Sequence, residues 1–454
     1  MADLDLLVVG HGAAGLAAAL AAAETRRGAR VAVLERTSES MSGGGTRWSP
    51  SNMRLDSVDE LAPGFEADLI EAAGDAADHA YFRRLAAQAV PAIAWLRRHG
   101  VLFHRTGYYL SAGAPRIQPV GGGASIVDAL ARAAKAAGVE FHYGCRAERL
   151  SCVATGVEIE GSGFKFSAHA VVLACGGFEG SAQMLREHFG PGGESLRPIS
   201  PGTAHNRGEG IRMALDAGAR RAGDWSGMHA EPVDARSQAS APVVLVYPYG
   251  IVVDREGARF FDEGAGLVHE TWEQVARAIH FTAPGRIAWA ILDCRLHDIA
   301  GYERAIRSEL PPLQAASIAE LAGLAGISPH GLERTVAGYN TACTGDPARF
   351  DATRTDALAA APGLAPPKSN WARAIERPPY LAYPLAGAIA YTFGGIATNE
   401  SAQVLGAQGP IPGLYAAGEI TGHFHGTAPN AVAMLRALVF GRIAGTASMK
   451  GRSR

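Results

Sequence analysis

Leu6-Leu7-Val8-Val9-Gly10-His11-Gly12-Ala13-Ala14-Gly15, an alanine-rich run, and then Val31-Ala32-Val33-Leu34-Glu35 decide the fold of this chain. They read as an apolar strand, a G-x-G-x-x-G turn, a helix, a second strand and a terminal carboxylate, which together make one βαβ unit. Gly10 permits the tight turn, Gly12 lets backbone N–H groups approach a pyrophosphate, and Gly15 lets helix and strand pack closely. The helix N-terminus, with Ala13 and Ala14 in its first turn, turns its partial positive charge toward the phosphates. Glu35, twenty residues after Gly15, is placed to accept hydrogen bonds from ribose hydroxyls. In a chain with 56 glycines the glycine pattern alone is weak. Its strand, helix and acidic partner make it a dinucleotide site.

The remaining composition bounds the rest. A chain of 454 residues has room for about two to three domains. Hydrophobic content of 48% and a net charge of −2 describe a globular enzyme and exclude a nucleic-acid-binding surface or a polybasic membrane anchor. No transmembrane segment is expected, because Glu24, Arg26 and Arg27 interrupt the alanine-rich run. The chain opens on strand-forming residues with no leader pattern, so a cytoplasmic location is expected. Cys145, Cys152, Cys175, Cys294 and Cys343 form no C-x-x-C pair and no metal spacing, so free thiols and no metal are expected. The stretch from Thr344 to Pro379, rich in Pro, Ala and Gly, reads as the return from an inserted domain.

Toward the far end, Gly413-Leu414-Tyr415-Ala416-Ala417-Gly418-Glu419 reads as a buried strand ending in a glycine turn. Asn430-Ala431-Val432 then enters a second helix, whose N-terminus suits negative charge on the same cofactor. The opening unit, Gly43-Gly44-Gly45-Thr46, Gly208-Glu209-Gly210-Ile211, Val252 to Phe260, Thr392-Phe393-Gly394-Gly395 and Gly413 to Glu419 occur in this order. Together they resemble the FAD-binding flavoprotein of the succinate dehydrogenase/fumarate reductase family over nearly the whole chain. Pro366 to Ala372, Pro378 to Pro384 and Val171-Val172-Leu173-Ala174-Cys175-Gly176-Gly177-Phe178-Glu179 are most similar to its tricarballylate dehydrogenase members.

The resemblance implies an α/β fold: a Rossmann-like FAD-binding domain built from residues 1–224 and 356–454, with an inserted α+β capping domain at 225–355. It implies Glu35, with Arg36 beside it, at the adenosine ribose and Glu419 at the ribityl chain. Gly43, Gly44, Thr46, Gly176 and Gly418 fall near the cofactor, and Asn430, Ala431 and Val432 at the flavin N1/O2 edge. Ser42 to Trp48 lacks the histidine that attaches FAD covalently in respiratory members, so non-covalent FAD is expected. No second nucleotide-binding unit follows, which argues against reduction by a tightly docked nicotinamide. The electron acceptor stays unidentified.

Family members interconvert a C–C single bond and an activated alkene. Such a pocket needs groups that stabilise enolate-like charge and an acid/base within reach. By resemblance, His229 falls where fumarate reductases bind a substrate carboxylate, and Tyr391 where they have a substrate histidine. His425 lies in the loop under the expected flavin edge. Each has a plainer reading as a packed or loop-bracing residue. The family's arginines are missing: none follows Arg259-Phe260-Phe261-Asp262-Glu263 until Arg277, and Gly426-Thr427-Ala428-Pro429-Asn430 carries none. An arginine clamp of the fumarate type is therefore not expected. Arg47, Arg54, Arg105, Arg116 and Arg207 are candidates to replace it, and Tyr108-Tyr109 could line a pocket for a ring-shaped substrate. The leading expectation is an FAD-dependent dehydrogenase or reductase of a carboxylic acid. The alternatives are a desaturase of a cyclic ketone, like 3-ketosteroid dehydrogenases, and a non-catalytic electron-transfer subunit. The short tail Ala447 to Arg454 disfavours the last.

Overall fold

The structure, a computed structural model, describes residues 4–107, 110 and 113–450. Tyr108, Tyr109 and residues 451–454 of the tail lie outside the described residues. Strands β1 (Leu4–Val9) and β2 (Val31–Glu35) pair in parallel, joined by helix α1 (Ala13–Thr25). Their near-continuous apolar runs fit a parallel sheet covered on both faces. Beyond β2 lies β3 (Glu140–Tyr143); on the other side of β1 come β4 (Phe164–Leu173) and a late strand, Gly409–Ala416. The N-terminal strand thus sits inside the sheet, and the carboxyl ends of β1, β2, β4 and the late strand open on one crevice, the usual ligand position in such sheets.

Helix α1 is buried almost throughout and packs on the last helix, Ala433–Met449. Small residues set how close the two come. A methyl group on Gly441 would stand 2.3 Å from the Ala14 carbonyl oxygen, and one on Gly445 2.0 Å from that of Ala18. The alanine-rich sequence of α1 supplies the flat surface on the other side.

A second sheet is mainly antiparallel. Strands β5 (Met228–Asp234) and β7 (Ala288–Asp293) pair with a long strand β8 (Tyr380–Thr392), Leu313–Ala315 is also on it, and β6 (Ile251–Val253) lies outside β7. Its two faces are covered by separate apolar clusters, one including helix α2 (Val268–Thr282). β8 comes from the segment assigned by sequence to the second part of the FAD domain, and the strands it pairs with come from 225–355, apart from the two-residue strand Arg197–Pro198. The Pro/Ala/Gly-rich return therefore re-enters the centre of this sheet before the chain goes back to the first.

That return is firmly tied. Arg259 donates to the Pro366 and Pro367 carbonyls at 2.7 and 2.9 Å and pairs with Glu263 at 2.6 Å. Lys368, fully buried, donates to the carbonyls of Pro248 (2.6 Å) and Gly250 (2.7 Å), with Glu263 3.7 Å away. Burial pulls its ammonium down to about 8, partly offset by Glu263. Lys368→Met strands two buried carbonyls and is expected to cost about 2–4 kcal/mol of stability. Denaturant unfolding checks this; an unchanged midpoint would mean that the lysine adds nothing net.

Candidate active site

One continuous cleft runs along the carboxyl ends of the first sheet and on to the second. Its first arm is the glycine turn. Gly10 has φ +113° and no room for a side chain, since a Cβ would meet the Ala174 carbonyl oxygen at 2.3 Å. Gly12 differs: a Cβ there would point into open space, 3.6 Å from Thr46 Oγ1. Gly12 also leaves α1 without a side-chain cap, so the first-turn N–H groups at Ala13 and Ala14 face the cleft, with Ala13 N also 3.2 Å from Thr46 Oγ1. Gly15 does not line the cleft. A methyl on it would lie 1.9 Å from the Gly10 carbonyl oxygen, so it serves packing alone.

Glu35 closes this arm at the end of β2. One carboxylate oxygen accepts from Thr37 N (2.8 Å) and Thr37 Oγ1 (2.7 Å), the other from His11 N (3.2 Å). Arg36 lines the same end but is held by the His205 carbonyl (2.8 Å) and Glu209 (3.1 Å). Gly44, Thr46 and Gly176 line the middle. Gly43 does not: with φ +114° it turns the chain into the short helix Gly44–Trp48, which forms part of the wall.

The second arm is built by Gly418, Glu419, Asn430, Ala431 and Val432. Ala431 is left-handed, φ +59°, a conformation that costs a non-glycine residue about 1 kcal/mol or more. Its carbonyl accepts from Arg54 N at 3.0 Å. Val432 leaves the last helix without a side-chain cap, so a second open helix N-terminus meets the first across the cleft. Several buried polar atoms on these walls have no hydrogen-bond partner: His11 Nδ1, Trp48 Nε1, Ser51 Oγ, Asn52 Oδ1 and Asn430 Nδ2. A polar ligand lying along the cleft would supply partners for such orphaned atoms.

Where the two sheets meet, β5 and β8 set the chemistry. His229 and Tyr391 are cross-strand partners, with rings 4.9 Å apart. His229 Nδ1 lies 2.6 Å from Glu273 of α2, and Nε2 3.3 Å from Glu231, two residues along the strand. Burial disfavours the imidazolium, but the two carboxylates outweigh it and push the group up to about 10. Glu231 is opposed by burial too, yet its bond to His229 and the charges of Arg307 and Arg116 hold it below the usual carboxylate range. Burial raises the Tyr391 phenol well above its ordinary value. Glu273 reaches on to Ala428 N at 3.4 Å, tying α2 to the loop before the last helix.

The expected residues divide accordingly. His229 and Tyr391 line the cleft; His425 does not, being half-buried with Asp224 its charged neighbour. The loop's buried histidine is His423, stacked 3.5 Å from Tyr81 and 2.9 Å from Thr398 Oγ1. Of the candidate arginines, Arg116 lines the cleft. Arg47 pairs with Asp128, Arg54 with Asp68 and Arg105 with Asp56, and Arg207 is exposed. Sequence reasoning missed Arg307, Glu231 and Trp272, which line the wall, and Glu273 behind it. The alternation His229-Ala230-Glu231 on a strand was the available signal for one of them.

All five cysteines are free. Among the described residues no helix is long and apolar enough to cross a membrane, and no group of three His, Cys, Asp or Glu could hold a metal ion.

Comparison with known proteins agrees with this geometry. The FAD-binding domain family matches residues 5–433. The probable fumarate reductase Ifc3 of Shewanella frigidimarina is 29% identical, covering 98% of this chain and 75% of its own. The urocanate reductase of Eggerthella lenta is 28% identical over 98% of this chain and 74% of its own. Among solved structures, the open conformation of a flavocytochrome c3 fumarate reductase superposes with a TM-score of 0.77 at 27% identity, covering 98% and 78%. The cleft fits FAD: a glycine cradle, two uncapped helix N-termini and a row of orphaned polar atoms line it as a long dinucleotide requires.

Proposed function

The chain belongs to the FAD-binding domain family and is an FAD-dependent oxidoreductase acting on CH–CH groups; from that premise we propose that it forms or reduces a C=C bond beside a carboxylate, as tricarballylate dehydrogenase does. One observation carries the reading. Arg116, Arg307 and His229, three cationic side chains, converge on the wall of the cleft that also bears Tyr391, against the two carboxylates Glu231 and Glu273. Such a wall favours an anionic substrate and stabilises the enolate-like charge that builds as the proton next to its carboxylate leaves. The bound FAD, held non-covalently, supplies hydride transfer at its ring.

The side chains divide the remaining work. Arg116 and Arg307 hold the substrate carboxylate and take over from the arginines missing elsewhere. His229, kept charged by Glu231 and Glu273, polarises the substrate, and the Tyr391 hydroxyl on the same wall donates to it or moves its proton. His425 takes no part. Residues 225–355, together with β8, form the cap over the flavin.

Anaerobic bleaching of oxidised flavin tests this. Tricarballylate or another polycarboxylate should reduce the flavin. Reduction by 3-ketosteroids or cyclic ketones alone would make it a ketone desaturase instead. Tyr391→Phe is expected to lower turnover by about two to four orders of magnitude with FAD content intact. Unchanged turnover would remove Tyr391 from the reaction.

A further inference from the structure

Behind the second arm, two acids share a space with no room for two charges. Asn206 Nδ2 donates to Glu179 Oε1 at 2.9 Å and to Glu419 Oε2 at 3.3 Å. Thr392 gives Glu419 Oε1 its N–H at 2.9 Å and its hydroxyl at 3.3 Å. Gly177 has no side chain because these acids occupy the position. A methyl there would lie 2.2 Å from Glu419 Oε1 and 2.9 Å from Glu179 Oε2. Glu179 is 1% exposed. Glu419 lines the cleft and Glu179 does not.

We infer that Glu179 and Glu419 form an acid–carboxylate pair holding one proton, with the proton on Glu179, and that Glu179 thereby positions Glu419 toward the cofactor. Two adjacent buried carboxylates cannot both ionise. Asn206 Nδ2, Thr392 N, Thr392 Oγ1 and the Gly177 N–H converge on Glu419, against Asn206 Nδ2 and its own N–H on Glu179. Glu419 is therefore the anion, and the Glu179 hydroxyl donates to it. The charged and titratable groups facing the pair are Arg436 from the last helix and Tyr391 from β8. Arg436 lies over the Phe424 ring at 3.9 Å and donates to the Thr421 carbonyl, so it is not a direct counter-ion of the pair. Burial, then the neighbouring Glu419 charge, raises Glu179 well above the ordinary range. The inference concerns the FAD arm of the cleft and is independent of which substrate is turned over.

The sign of the pH effect follows. An acid whose folded value is raised favours the fold below its unfolded value, about 4.5, and that advantage drains away as pH climbs toward the folded value. Glu179→Gln keeps a donor toward Glu419 and removes the titration. From pH 5 to 8.5, the melting temperature of the wild-type FAD-loaded enzyme should fall relative to that of this variant. Infrared spectra at pH 7.5 should show a protonated carboxyl band in wild type that Glu179→Gln removes. Flavin fluorescence titration should give Glu179→Gln an FAD Kd within threefold of wild type, and Glu179→Leu, with no donor, one at least tenfold weaker. Parallel pH profiles, a band untouched by Glu179→Gln, or a Glu179→Leu variant that binds FAD normally would each overturn the pair. If the variants fail to fold, infrared titration of wild type decides alone: no protonated carboxyl at pH 7.5 overturns it.

Discussion

Gly12→Val should give a folded protein that cannot keep its flavin. Gly12 has φ −76° and ψ −179°, a conformation β-branched residues adopt readily. Nothing in the protein lies within 3.6 Å of the added Cβ, so packing without cofactor is undisturbed. The valine methyls would instead fill the cradle in front of the N–H groups at Ala13 and Ala14. FAD affinity should fall at least 100-fold, about 2.7 kcal/mol. The flavin-to-protein absorbance ratio after purification, with denaturant unfolding of the cofactor-free form, reads both halves. Gly15→Ala is the control with the opposite outcome: its methyl meets the Gly10 carbonyl oxygen at 1.9 Å, so the unit itself should fail. A Gly12→Val protein that retained stoichiometric FAD would show that the phosphates lie elsewhere.

His229→Leu is the second large effect, and it strikes stability and chemistry together. The substitution leaves Glu231 and Glu273 buried without the cation between them, and breaking one partner out of a buried ionic cluster costs about 3–5 kcal/mol. Turnover should fall as well, by about a thousandfold or more, since the polarising charge is gone. Adding Glu231→Gln and Glu273→Gln should restore most of the stability and none of the turnover. The pH dependence has a definite sign. A histidine whose folded value stands at about 10 stabilises the fold fully below its unfolded value of about 6.5, and loses that contribution as pH rises through 10. The stability gap between wild type and His229→Leu should therefore narrow between pH 6.5 and 10. A gap constant across that range would mean that the imidazole is neutral in the folded protein.

The two ends of the cleft were unequally legible in the sequence. Gly10, Gly12 and Glu35 could be read because their roles are local: a turn, a cradle and a strand end fixed by spacing within one βαβ unit. The substrate wall is not local. Tyr391 reaches His229 through strand register, Glu273 comes from a helix, and Arg307 is held near by its N–H to the Val243 carbonyl at 2.8 Å. No spacing rule joins those positions. One of the strings that suggested a particular substrate, Pro366 to Ala372, has structural work. Arg259 and Lys368 tie Pro366 to Lys368 to the fold, Asn370 donates to the Gly264 carbonyl (2.8 Å), and Trp371 Nε1 to that of Asp351 (2.8 Å). None of these four anchors lines the cleft. Likeness in that string is carried by residues that anchor the fold, not by residues on the cleft wall.

The close seating of α1 on the last helix bears on how the protein is made. Ala14 and Ala18 wait for Gly441 and Gly445, and β4 waits for the strand at Gly409–Ala416. During synthesis the glycine turn is thus made more than four hundred residues before the helix surface at Gly441 and Gly445 that packs against α1. Cofactor capture then has to wait for that helix, and a product truncated before Ala433 should emerge without flavin and expose an alanine-rich helix to whatever quality control surveys it.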